Sequence, residues 1–282
     1  MGPSTLARLE LWLLPMRLPP ATALGFALAS LAGALGIGVI GRSVGSLPPC
    51  GPGFERAGVR CEIVGDACPS PFERNPRGCR PPDRTVLIPS ATIAVGPSDW
   101  EAEGLAQPRT LRVLSFRIDA FEVPRGVWEP GSDDPLVAAS GMTREAASRY
   151  CRGRAGRLPT EDEWTVAALS AAAPPRRYPW GDTGAVCRRA AWGLEHGPCA
   201  TGATGPDTVG AHGEGDTPLG VHDLAGNVAE WVESDPTRPA TAVAKGGSWR
   251  TTLASDMRVW ARLELDPEAR RRDVGLRCAY PP

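Results

Sequence analysis

Apolar and polar positions along this chain fall into short runs, and only one run is long. Residues 21–40 are twenty positions without a charge, flanked by Arg17 and Arg42, which is enough helix to cross a bilayer. A cleaved secretion signal has a shorter apolar core, about 7–15 residues. An uncleaved anchor is therefore the favoured reading, and initiation at Met16 instead of Met1 would make the segment more signal-like. Arginines flank the segment too evenly to orient it. Farther on, residues 116–123 alternate apolar and polar in the manner of a half-buried strand. Thr143 is placed to cap a helix through Ala146, Ala147 and Tyr150 to about Arg152. Thr160 with Glu163 forms a capping box for a second helix, expected to reach about Ala173, where Pro174 and Pro175 stop it. The rest reads as loops and short strands, consistent with 33 glycines and 30 prolines.

A net charge of -1 over 282 residues leaves no global field to gather nucleic acid or acidic lipid. Lys245 is the only lysine among 31 basic residues, so the arginine content reads as genomic base composition rather than as phosphate binding. Residues 1–48 are expected to carry the anchor and its flanks. Residues 49–84 form a cysteine-rich spacer with too little apolar content for a core of its own, and residues 85–282 form the main domain.

All eight cysteines follow the apolar stretch. An even number in a chain that leaves the cytoplasm suggests pairing in an oxidising compartment. Cys187 and Cys199 are placed to clip one loop. Cys50, Cys61, Cys68 and Cys79 lie 11, 7 and 11 residues apart and permit three connectivities, Cys50–Cys61 with Cys68–Cys79 among them. Zinc is the competing reading for these four, disfavoured by the wide spacing, the lack of any CxxC and the lack of a nearby histidine.

Five motifs carry further information: Arg157-Leu158-Pro159-Thr160-Glu161-Asp162-Glu163-Trp164, Tyr178-Pro179-Trp180-Gly181-Asp182, Asp223-Leu224-Ala225-Gly226-Asn227-Val228-Ala229-Glu230-Trp231, Gly246-Gly247-Ser248-Trp249-Arg250 and Val274-Gly275-Leu276-Arg277-Cys278-Ala279. In this order the chain resembles the formylglycine-generating enzyme, or sulfatase-modifying factor, family over roughly residues 86–280. The resemblance implies an α+β, loop-rich domain related to C-type lectins, with few short helices and small antiparallel sheets, here behind an N-terminal signal-anchor helix. It also implies a Cys151–Cys278 bridge.

Catalytic members of that family oxidise a sulfatase cysteine to formylglycine with oxygen and a copper ion held by two thiolates just after Gly-Gly-Ser. Those two positions are Thr251 and Asp256 here. A hydroxyl and a carboxylate are hard, poor ligands for Cu(I), so no copper is expected. The resemblance places Trp231, Ser248 and Trp249 beside Thr251 and Asp256 at a groove. It further implies one calcium ion held by the carbonyls of Ala225, Gly226 and Val228 with the Glu230 carboxylate, hard oxygen donors as calcium requires; the alternative is that Glu230 pairs with an arginine. A second family calcium site uses an asparagine before a Trp-containing turn, where this chain has Arg189-Ala190-Ala191-Trp192.

Trp164 and Trp180 read as core residues that pin a coil-rich domain. His196, His212 and His222 read as surface or turn residues, and no Ser-His-Asp set is assigned. Gly246-Gly247 lacks the Lys-Ser/Thr of a phosphate loop and reads as tight packing beneath the groove. Asp256 and Asp273 lie near the substituted positions, with no partner or substrate to make either an acid or a base. Two function classes follow. The favoured one is a membrane-anchored, extracytoplasmic, non-catalytic module that binds a protein, peptide or glycan or acts as a scaffold, without nucleic acid. Cleavage of the signal would make the domain periplasmic or secreted. The alternative is an enzyme, either a formylglycine-generating oxidoreductase or one with another reaction in the same groove.

Overall fold

Apolar runs of four or five residues between glycines and prolines are too short for long strands. In the computed structural model, which describes residues 47–76, 78–95, 108–172, 174–233 and 240–282, no strand exceeds five residues. The apolar segment 21–40 lies outside the described residues, and among those described no helix is long and apolar enough to cross a membrane.

Two hairpins come first: β1 (Phe54–Ala57) with β2 (Arg60–Ile63), and β3 (Glu73–Asn75) with β4 (Gly78–Arg80). β5 (Thr85–Ile88) is followed by a third hairpin, β6 (Ala91–Val95) with β7 (Arg109–Val113), and by β8 (Phe116–Asp119). Then come α1 (Arg125–Trp128), α2 (Arg144–Gly153) and α3 (Glu161–Ala168). The last strands are β9 (Ala229–Trp231), β10 (Ala242–Lys245), β11 (Leu263–Leu265), β12 (Val274–Gly275) and β13 (Ala279–Tyr280). β8 lies between β5 and β13, antiparallel to both, so the start and the end of the main domain meet in one sheet. The second sheet has the order β11-β10-β9-β12, antiparallel except for the β9–β12 pair.

The helices follow their caps. Thr143 Oγ1 accepts the Ala146 N–H, and Thr160 and Glu163 form the reciprocal capping box. α3 nevertheless stops at Ala168, earlier than the prolines suggest. Ser170 and Ala171 adopt left-handed φ of 53° and 52°, and the Ala171 N–H closes on Val166 O at 2.9 Å, a left-handed helix termination made without glycine. Buried Leu169 must turn into the core there. The 116–123 alternation also ends early. Strand pairing stops at Asp119, and residues 118–123 are all buried, Asp119 and Glu122 included.

Four disulfides form: Cys50–Cys61, Cys68–Cys79, Cys187–Cys199 and Cys151–Cys278, the last joining α2 to the residue before β13 across 127 positions. The cysteine-rich segment shares the domain's core. Phe54 packs edge-on against Phe72, and Phe72 against Phe121, at 5.5 and 5.8 Å between centroids. Cys61 N–H donates to Asp207 Oδ1 at 2.7 Å, and Thr208 Oγ1 to Cys61 O at 2.6 Å. These long-range bonds give the segment the burial that its own composition cannot supply.

Candidate functional site

The Gly-Gly-Ser turn starts from a backbone that only glycine tolerates. Gly246 and Gly247 have φ of 94° and 69°, and a Cβ on Gly247 would sit 2.8 Å from Met257 Cγ and 3.2 Å from both Thr251 Oγ1 and the Asp256 carbonyl. Without side chains the turn folds back, Ser248 N–H donating to Thr251 Oγ1 at 2.9 Å and Thr251 N–H to Ser248 O at 3.0 Å. Asp256 stands on the short 3-10 turn Ala254–Met257. Ser248, Thr251 and Asp256, scattered over nine positions, therefore line one groove of about 370 Å3. Arg250, Arg271 and Asp273 line it as well. Ser248 Oγ is 3.3 Å from Asp273 Oδ2, and Arg271 clamps Asp273 with Nε at 2.9 Å and Nη2 at 2.7 Å. Partial burial opposes the Asp273 carboxylate, but the Arg271 hydrogen bonds and charge outweigh it and hold its pKa below the ordinary value. Arg250 and Arg271 were invisible as groove residues in a chain where arginine is everywhere.

Neither tryptophan expected at the groove lines it. Trp231 is fully buried, its indole N–H donating to Met142 O at 3.1 Å, and Trp249 is 3% exposed with its N–H on Arg272 O at 3.2 Å. A buried indole N–H needs an acceptor, and in both cases that acceptor is a main-chain carbonyl, which turns the ring away from the groove. Trp164 is core as expected. Trp180 is partly buried, stacked on Tyr178 at 4.9 Å.

The Ala225–Glu230 turn is built around another ion. Glu230 Oε1 accepts from Arg277 Nη2 at 2.6 Å, and Oε2 accepts from Arg277 Nε at 2.8 Å and Trp164 Nε1 at 2.7 Å. Arg277 also donates to the carbonyls of Asp119, Ala120 and His222. Burial alone would depress the Arg277 pKa; the Glu230 charge and hydrogen bonds, with Glu122 and Asp223 nearby, push it up instead. Glu122 accepts from the Asn227 side chain and from Val228 N–H. Burial and then the neighbouring Asp223 and Glu230 charges hold the Glu122 pKa well above the usual range. Nothing in the alternating sequence marked Glu122 as an interior residue. The carbonyls of Ala225, Gly226 and Val228 are hard donors suited to calcium. The Glu230 carboxylate is already neutralised by a guanidinium, and a cation there would share its oxygens with Arg277.

Of the histidines read as surface or turn residues, His212 does stand in a turn, but it and His222 are both interior. His212 is 2% exposed, with Nδ1 2.9 Å from Cys187 O and Nε2 3.2 Å from Asp207 Oδ2. His222 stacks on Phe121 at 4.1 Å with Nδ1 2.8 Å from Asp216 Oδ2. Hydrogen-bond partners make the burial of His212 tolerable, whereas His222 has the Asp216 carboxylate close by but a well-formed hydrogen bond at neither ring nitrogen. Cys61 completes a cluster with Asp207 and His212, but its sulfur is bonded to Cys50, so the cluster latches the cysteine-rich segment to the domain.

A coil-rich domain with two small sheets, a Cys151–Cys278 staple and a Gly-Gly-Ser groove defines a C-type-lectin-related fold of the formylglycine-generating kind. The chain belongs to the sulfatase-modifying factor family: the model of the sulfatase-modifying factor enzyme 1-like domain matches residues 131–281. The inactive C-alpha-formylglycine-generating enzyme 2 of Mus musculus is 32% identical over 180 residues, 56% of each chain. The formylglycine-generating enzyme of Thermomonospora curvata is 30% identical over 192 residues, 57% of this chain and 63% of that protein. This chain thus spans only about half the length of the mouse relative. Among solved structures, Treponema denticola variable protein 1 superposes with a TM-score of 0.58 over 70% of this chain and 95% of its own at 19% identity, a likeness of fold alone. A relative named as inactive and one named as a formylglycine-generating enzyme match about equally well, so the residues of the groove have to separate the two.

Proposed function

We propose that this protein is a non-catalytic ligand-binding or scaffold member of its family, whose protein, peptide or glycan partner seats in the Ser248–Thr251–Asp256 groove. One observation carries the reading. At the two positions that hold redox cysteines in catalytic relatives, the groove presents the Thr251 hydroxyl, already accepting the Ser248 N–H, and the exposed Asp256 carboxylate. Every cysteine of the chain is in a disulfide, so no thiolate is left elsewhere to hold a soft metal.

The remainder of the proposal is topological. Residues 21–40 anchor the chain in the cytoplasmic membrane, and residues 49–84, packed into the domain's core, face the extracytoplasmic side with the domain from 85 onward, where an oxidising environment keeps four disulfides intact. Cleavage of the signal would release the same domain to the periplasm or the medium. A calcium ion in the Ala225–Glu230 turn belongs to the proposal through the three carbonyl donors. A melting temperature that rises with calcium and falls with a chelator supports it, and indifference to both assigns Glu230 to Arg277 alone.

The deciding experiment incubates the purified domain with Cu(I) and with a sulfatase peptide containing the target cysteine. No stoichiometric copper and no aldehyde product are expected from the unaltered domain, and copper uptake is expected only after Thr251→Cys together with Asp256→Cys. Aldehyde formation by the unaltered domain would establish the oxidoreductase alternative.

A further inference from the structure

Cys61, Asp207 and His212, which latch the cysteine-rich segment to the domain, also bring three metal-ligating side chains together. The Cys61 sulfur, one Asp207 oxygen and one His212 nitrogen lie within 4.8 Å of one another, and all three residues are buried. His212 Nδ1 faces the Cys187 carbonyl at 2.9 Å. A carbonyl only accepts, so Nδ1 carries the hydrogen, and the neutral ring turns its Nε2 lone pair toward Asp207 Oδ2, 3.2 Å away. Between two facing acceptors belongs a proton or a metal cation. Arg56 does not fill the place: its Nη1 stays 3.7 Å from Oδ2, while Nη1 and Nη2 donate to the carbonyls of Val59 and Pro48.

The surroundings match those of a metal centre. Asp207 Oδ1 accepts the N–H groups of Cys61 and Thr208 at 2.7 and 2.9 Å, which leaves Oδ2 to ligate. A bond from the other ring nitrogen to a carbonyl is what fixes the ring of a metal-bound histidine. Nitrogen and oxygen ligands about 2.1 Å from a tetrahedral zinc stand about 3.4 Å apart, close to the 3.2 Å between His212 Nε2 and Asp207 Oδ2. What is missing is thiolate, because the Cys61 sulfur is bonded to Cys50. Both cysteines are held by more than that bond. Cys61 lies opposite Arg56 in the β1–β2 hairpin, and its carbonyl accepts from Thr208 Oγ1 at 2.6 Å. Gly51 N–H, next to Cys50, donates at 2.8 Å to the carbonyl of Ala211, the residue before His212. The sequence offers these cysteines no nearby histidine, and the fold supplies one.

We propose that Cys50, Cys61, Asp207 and His212 form a redox-gated zinc site, closed in the disulfide form and opened by a dithiol reductant. Cys50 is the half-buried end of the bond and Cys61 the fully buried one, so a thiolate of the reductant attacks the Cys50 sulfur and Cys61 leaves as thiolate. The second thiol of the reductant then displaces Cys50 and closes the reductant's own disulfide, so that two electrons and two protons pass to the cysteine pair. Zinc displaces both protons and takes two sulfurs, Nε2 and Oδ2, a donor set that suits it. Two thiolates and a carboxylate around Zn2+ leave one negative charge, which the Arg56 guanidinium offsets. None of the four ligands lines the Ser248–Thr251–Asp256 groove.

The test frees Cys61 without any reductant. Full-length Cys50→Ser in non-reducing buffer should take up one cobalt ion per chain, with a thiolate-to-cobalt charge-transfer band that zinc abolishes. The native protein in the same buffer should show no such band. Cys68→Ser, which frees Cys79 outside any such cluster among the described residues, should show none either. His212→Gln added to Cys50→Ser should weaken cobalt binding about tenfold or more. Should Cys50→Ser fold poorly, the native protein reduced by a phosphine decides the matter: it should hold one more thiolate-bound cobalt than Cys61→Ser treated alike. A folded Cys50→Ser without the band, an equal band in Cys68→Ser, indifference to His212→Gln, or equal uptake by reduced native protein and Cys61→Ser would overturn the proposal.

Discussion

Glu230 on β9 and Arg277, 47 residues later in the link between β12 and β13 and beside the Cys151–Cys278 staple, meet as a two-pronged ion pair with 1% and 0% of their side chains exposed. Removing one partner leaves the other charged and unpaired in the interior, which costs about 3–5 kcal/mol in comparable cases. Arg277→Met should therefore lower the urea midpoint sharply. Glu230→Leu combined with Arg277→Met should cost less than the two single changes added together. Strict additivity would show that the pair is not coupled.

Lys245, the chain's single lysine, is 2% exposed beside the Trp164 ring at 5.4 Å and Glu161 at 3.8 Å. Burial, reinforced by Arg109 and Arg262 against the pull of Glu161, lowers its pKa from 10.5 to about 8. The folded form thus gives up the proton first, and between pH 8 and 10.5 the unfolded chain holds more protons, so this group adds stability as pH rises through that window. The full gain is on the order of 3 kcal/mol. From pH 7 to pH 10 the urea midpoint of the native protein should rise relative to that of Lys245→Met. Parallel pH profiles for the two proteins would refute the assignment.

Cys151 and Cys278 are both fully buried and close a loop of 127 residues. Replacing both by alanine should cost about 4–5 kcal/mol in the chain-entropy account, read by calorimetry as a melting temperature lower by about 10 °C or more. A drop of only a degree or two would mean that the unfolded chain is already constrained there.

Gly247 has a left-handed backbone and no room for a Cβ against Met257. Gly247→Ala should destabilise by about 1–2 kcal/mol from the backbone conformation alone and should disturb the Ser248–Thr251 turn. Amide shifts of residues 248–251 report the second effect directly, and unchanged shifts would count against the tight turn.

The helix starts were legible because caps are local: Thr143, Thr160 and Glu163 satisfy N–H groups within one turn. The end of α3 was not, because burial of Leu169 and the left-handed turn at Ser170 and Ala171 override the sequence signal of Pro174 and Pro175. The motifs and the missing groove cysteines could be read residue by residue, as could the absence of any cysteine between Cys199 and Cys278. Which way Trp231 and Trp249 face, and the burial of His212, His222 and Glu122, depend on partners 5 to 106 residues away. A one-dimensional pattern does not carry these, because a polar side chain goes inside only where distant groups supply its hydrogen bonds and opposing charge. The pairing of Glu230 with Arg277 and the meeting of Cys61, Asp207 and His212 belong to the same class: the sequence supplies the groups, and long-range packing decides which of them meet.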